Sequence, residues 1–174
     1  MKFDRKKAVE ILERTPLVLN SLLREVSEEW VINNEGADTF SPYDVVGHLI
    51  HGEKTDWVVR AKIILEYGVN KPFDPYDRFA QFEESKGKSL EQLLDEFEAI
   101  RKENVAWLQA IELTETDLER KGMHPVLGEV TLRNLLSTWV VHDLTHIAQI
   151  TRVMSKQYVE EMGPWPQFFR ILSF

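Results

Sequence analysis

The chain has 174 residues, 43% of them hydrophobic, which suits one domain spanning 1–174 with a sizeable core and leaves no segment that reads as disordered. Its formal charge of −8, from 29 acidic against 21 basic residues, repels phosphate backbones and argues against a nucleic-acid partner. With no Cys, the chain has no disulfide, no thiolate ligand and no Cys nucleophile, so any thiol chemistry must bring its thiol on a substrate.

The opening MKFDRKKAVEILER lacks the apolar run of a signal peptide, and no stretch approaches the roughly 18 apolar residues of a membrane span, so a soluble cytoplasmic protein is expected. Residues 4 to 29 carry Val9, Leu12, Leu19, Leu22, Leu23 and Val26 at helical spacing. Pro16 should kink or restart that helix, with Thr15 as a cap. After the polar connector NNEGADTF, Ser41 reads as an N-cap, Pro42 as the first helical residue and Asp44 as a partner of the amide dipoles. This second helix is expected to run to about Tyr67 and stop at Gly68.

Residues 68 to 88 hold two prolines and several aromatics without a clear period. A loop of about twenty residues is unusual in a compact bundle and suits a lid or binding segment, in which Phe73, Tyr76, Phe79 and Phe82 would lie near the open end of the bundle. The plainer alternative is a connector that uses its aromatics to adhere. Ser89 and Gln92 form a capping box for a third helix to about Ile111, followed by one further turn over 114–120. HPVLGEV reads as a loop, Thr131 caps a last helix to about Tyr158, and the Pro-broken tail should pack back on the bundle. Four helices and no convincing strand pattern predict an all-α antiparallel four-helix bundle with a long crossover.

His142 and His146, in H-D-L-T-H, lie four apart on one helix, so both imidazoles project from one face and reach a common metal ion. At about 100° per residue, His146 falls inside the apolar stripe of Leu132, Leu135, Trp139, Ile150 and Val153, and His142 on its edge. Polar groups at core-facing positions must be satisfied by something. His48 lies on the flank of its own helix's apolar face and His51 further out, and the wheel alone does not choose between them. Three imidazoles from two helices would leave positions for water or substrate, the arrangement of a catalytic site. H-D-L-T-H echoes the zinc-protease H-E-x-x-H, with Asp143 in place of the Glu base, but no third-ligand motif follows.

The pattern S-P-Y-D-V-V-G-H-L-I-H-G-E, a long crossover, then T-L-R-N-L-L-x(6)-H-D-L-T-H-I-A-Q-I resembles the DinB/YfiT-like superfamily from about residue 5 to about residue 160. The resemblance implies a four-helix bundle with a three-histidine metal site, its first ligand His48, directly before Leu49, and its pair His142 and His146. It implies transfer of a low-molecular-weight thiol such as bacillithiol or mycothiol to a small electrophile, or a related isomerase or hydrolase reaction, and it implies no DNA binding. Nitrogen-rich sites accept zinc, nickel, iron and manganese in order of affinity and availability, with zinc or nickel expected first. Glu53, near the centre of its helix's apolar face, is a candidate catalytic base, fourth ligand or hydrogen-bond acceptor behind a ligating histidine, or the partner of a buried ion pair with a residue such as Arg60. Asp143 is expected to make a buried structural hydrogen bond, and His124 to lie at the surface. The rival to an enzyme is a noncatalytic module in which the bundle serves as a homodimer or binding scaffold, recognisable by a closed site with Glu53 ligated and no pocket leading to the ion.

Overall fold

The computed structural model describes residues 1–173. Four helical rods carry the fold: α1 (Arg5–Leu12) with α2 (Arg14–Leu23), α4 (Pro42–Thr55) with α5 (Trp57–Tyr67), α7 (Leu90–Ala110), and α9 (Leu132–Lys156). Short helices α3 (Glu28–Ile32), α6 (Ala80–Ser85) and α8 (Glu115–Leu118) sit in the connections. The helix starts follow local chemistry: Ser41 with Asp44, Ser89 with Gln92 and Thr131 with Asn134 each close a reciprocal capping box.

The first two sequence-predicted helices are each interrupted. The first breaks at Glu13, because Pro16 has no N–H to give the Leu12 carbonyl, and that carbonyl instead accepts from Arg101 Nη1 at 3.0 Å. Thr15 is not a cap; its hydroxyl donates to Asp143 Oδ2 at 2.6 Å. The second breaks at Asp56, whose backbone (φ −109, ψ −84) leaves the helical region between Thr55 and Trp57. Gly68 does end that rod, at φ +60.

One apolar cluster joins Val9 and Leu12, Trp57 to Ile64, Val105 and Leu108, and Leu132 to Trp139; a second joins Leu19 and Leu23, Val45 to Ile50, Leu93 to Phe97, and Ile150. The first and last rods therefore point one way and the middle two the other. The first rod packs on α7 and α9, and so does the α4–α5 rod, which places the first rod diagonal to the second and α7 diagonal to α9. Because α5 ends at the first cluster and α7 begins at the second, the chain must travel the bundle's length between them. That is the physical reason for the long crossover.

The crossover is not structureless: α6 packs closely on α4, where a Cβ on Gly47 would collide with Ser85. A second departure is a hairpin, β1 (Lys121–His124) paired antiparallel with β2 (Gly128–Thr131), where the sequence reads as a loop. Four-residue strands are too short to display a period of two. The Phe73 N–H donates to the Met123 carbonyl at 2.9 Å, which ties the crossover to the hairpin and buries Phe73 beneath it, away from the open end where it was expected. In the tail, the turn Arg170–Leu172 packs on α9. Among the described residues, no helix is long and apolar enough to cross a membrane.

Candidate metal centre

His48 on α4 and His142 and His146 on α9 turn their imidazoles toward one point. His142 Nε2 lies 3.1 Å from His48 Nε2 and 3.1 Å from His146 Nε2. All three nitrogens fall within 4.8 Å of one another, and among the described residues no other group of His, Cys, Asp or Glu gathers this way. Metal–nitrogen bonds of about 2.0–2.1 Å put tetrahedral ligands about 3.3 Å apart, so the spacing fits one ion.

The outer nitrogens fit as well. His146 Nδ1–H donates to Gln149 Oε1 at 2.8 Å, which leaves a lone pair on its Nε2, and His48 Nδ1 lies 3.1 Å from the Tyr76 hydroxyl. Neutral imidazoles sharing protons cannot make both contacts at His142 Nε2 good hydrogen bonds, because that atom offers either one proton or one lone pair. A cation at the common point satisfies all three lone pairs together. His142 Nδ1 is buried and meets no hydrogen-bond partner among the described residues; its ring is held edge-on by Trp57.

One side of the triad is open. His48 and His146 line a cavity of about 340 Å³ together with Glu35, Asp38, Thr39, Phe40, Arg78, Gln149 and Arg152. The sequence matches the profile of the DinB superfamily over residues 11–150. The chain belongs to the DinB superfamily. Among solved structures it is similar to YfiT from Bacillus subtilis, described as a probable metal-dependent hydrolase with an unusual four-helix bundle topology. The two share 25% identity and superpose with a TM-score of 0.75 over 88% of this chain and 86% of YfiT. No curated protein matches.

Beneath the triad of this DinB-superfamily chain, a polar layer separates the two apolar clusters. Arg101 is buried between two carboxylates, its Nη2 donating to Glu53 Oε1 at 2.8 Å and to Asp143 Oδ1 at 2.9 Å, its Nη1 to Asp143 Oδ2 at 2.5 Å. Burial alone would favour the neutral guanidine, but Asp143 and Glu53 overcome it and hold Arg101 above its ordinary pKa. Trp139 Nε1 also donates to Glu53 Oε1, and Asn104 to Glu53 Oε2, both at 2.9 Å. Glu53 thus has both oxygens engaged away from the histidines, and its ion pair is with Arg101; Arg60 instead faces Asp56 at 3.1 Å. Asp143 makes the buried hydrogen bonds expected of it. A trace of this layer is visible in the sequence, where Arg101 falls on α7's apolar stripe of Leu94, Phe97 and Leu108.

The remaining candidates divide. Tyr76 from the crossover reaches the triad, and Phe40, leaning on the His48 ring, links it to Phe82. His51 is buried, contrary to its position on the wheel, because the crossover covers it with Tyr76 and with Glu84, 3.0 Å from its Nδ1. His124 stays apart, its Nδ1 accepting from the Val126 and Leu127 N–H groups in the hairpin turn. The i+3 spacing from His146 to Gln149 is the sequence signal for that partner, and Tyr76 carries none toward His48.

Burial, reinforced by the neighbouring imidazoles, lowers His48 from 6.5 to about 3 and His142 to about 2, and burial also lowers His146, against the pull of Gln149 and Asp143. The site is therefore neutral and ready to ligate at pH 7. Below pH 6.5 the unfolded chain binds more protons than the folded one, so stability falls with pH. Asp56, raised from 3.8 to about 6 by burial against the opposing Arg60, works the other way, one group against four, since burial lowers His124 as well. Metal-free protein should be on the order of 2 kcal/mol less stable at pH 5 than at pH 7. Denaturant midpoints that rise on going from pH 7 to pH 5 would contradict the neutral triad.

Proposed function

We propose that this chain is a metal-dependent enzyme in which His48, His142 and His146 hold one divalent ion and a small electrophilic substrate is attacked by water or by a low-molecular-weight thiol. The observation that carries the reading is the open triad: three imidazole nitrogens converge on one point, two of them in the wall of a cavity. YfiT's description as a probable metal-dependent hydrolase supports the hydrolytic form first. A noncatalytic module would close the site with Glu53, whose oxygens are instead taken by Arg101, Trp139 and Asn104. Zinc or nickel suits three neutral imidazoles best, with iron or manganese as alternatives.

A bound divalent ion supplies Lewis acidity, drawing the pKa of a coordinated water or thiol toward neutrality. The protein's own groups set the geometry. Gln149 fixes the tautomer and ring plane of His146, and Tyr76 holds the ring plane of His48, its hydroxyl oxygen accepting from Nδ1–H in the tautomer that leaves Nε2 free. Burial holds the Tyr76 phenol well above its ordinary pKa, so it remains a protonated hydrogen-bond partner and is not a general base. The layer of Glu53, Arg101 and Asp143 braces α4 and α9 at the level of the histidines.

Metal-free and zinc-reloaded protein should be compared on small esters and amides, and on a chlorinated nitroarene with a low-molecular-weight thiol. Turnover is expected only in the reloaded protein and should vanish in His146→Ala. Turnover of these substrates by metal-free protein would overturn the mechanism.

A further inference from the structure

The cavity beside the triad is lined by a cation, Arg78, that no carboxylate among the described residues neutralises. Arg78, on the crossover, is exposed and has no carboxylate within ion-pair distance among the described residues, in a chain with 29 acidic residues. Arg152, in the same cavity wall, is paired with a carboxylate, as are the buried Arg60 and Arg101. Arg78 is held instead by aromatic faces, 5.1 Å from the centre of Phe79 and 5.8 Å from that of Phe40, and Phe40 leans on the His48 ring at 5.7 Å. Cation–π contacts position a guanidinium without spending its N–H donors, which stay available for a bidentate partner.

Neither acid of the cavity is paired with Arg78. Glu35 is gripped by Arg152 at 2.6 Å and by Lys156 at 2.8 Å, and these contacts, led by the Arg152 hydrogen bond, hold its carboxyl down at about 2. Asp38 is exposed at the rim. Among the residues that line the cavity, two cations, Arg78 and Arg152, stand with two acids, Glu35 and Asp38, and Lys156 grips Glu35 from outside the lining. In a chain of net charge −8, a guanidinium without an ion-pair partner among the described residues is a local attraction for a small anion. The cavity's volume, about 340 Å³, is at the lower end for ligand sites, which suits a small molecule.

We propose that Arg78 anchors an anionic group of the substrate, a carboxylate or a phosphate, while the reacting group of the same molecule faces His48 and His146. This names the substrate class of the enzyme read above and rests on that reading. It makes Arg78 a specificity-determining residue supplied by the crossover.

The test is calorimetric titration of the full chain, metal-free and zinc-loaded, with inorganic phosphate and separately with succinate, after the zinc content of each protein is measured. Wild type should bind at least one probe in both forms, and the better probe tells phosphate from carboxylate. Arg78→Gln should weaken that binding by about tenfold or more in both forms, as expected for losing a charge-assisted pair, with zinc content unchanged. Arg78→Lys, which keeps the charge and loses the fork, should fall in between. Equal affinity in wild type and Arg78→Gln, or no binding of either probe by zinc-loaded wild type, would overturn the anchor. If wild type holds no zinc yet shows the Arg78-dependent binding, the anchor stands and the metal reading fails.

Discussion

Arg101→Met should destabilise the protein by about 3–5 kcal/mol, the largest loss expected from any single substitution in the bundle. The Arg101, Glu53 and Asp143 side chains are at most 1% exposed, so removing the cation strands two carboxylates where water cannot reach them. The Leu12 carbonyl, already deprived of a helical partner by Pro16, loses its donor too. For a chain of 174 residues, at about 2–4 °C per kcal/mol, the melting temperature should fall by roughly 10 °C. The triple variant Arg101→Met, Glu53→Gln, Asp143→Asn should recover much of that loss, because it removes the charges together. An Arg101→Met protein within about 1 kcal/mol of wild type would mean the layer is hydrated and the account of it wrong.

Those three residues also mark the boundary of what the sequence makes legible. Helix starts are local chemistry, so Ser41 with Asp44, Ser89 with Gln92, and Thr131 announce themselves in short windows. The pair His142 and His146 is legible for the same reason, one helical turn apart on one face. His48 is not: the wheel puts it on a flank, and only resemblance selects it over His51. Side-chain pairing across the bundle is a long-range outcome, so Glu53 can be read as buried and charged but not as the partner of Arg101, 48 residues away. The same holds for Tyr76, 28 residues from His48, and for a hairpin whose four-residue strands show no clear alternation in sequence. The diagonal order of the rods is carried by packing alone.

Adding zinc to metal-free wild type should raise its melting temperature by roughly 10 °C, since saturation near a thousandfold above Kd contributes about 4 kcal/mol. His142→Ala should abolish the shift, because its Nε2 is the atom within 3.1 Å of both other ligands and its loss leaves nitrogens on two separate helices. His124→Ala should keep the full shift, since that ring belongs to the hairpin turn. His51→Ala should keep it as well, at some cost in stability from the buried contact with Glu84. Each variant should still fold, because the two apolar clusters do not pass through the site. A zinc shift in His142→Ala equal to that of wild type would place the metal elsewhere.

The most direct measurement is elemental analysis of the untagged protein and of a His48→Ala/His146→Ala double variant, both folded by circular dichroism. One equivalent of divalent metal per chain in wild type and less than about a tenth in the double variant is the predicted result. Full metal retention in the double variant would contradict the three-histidine centre.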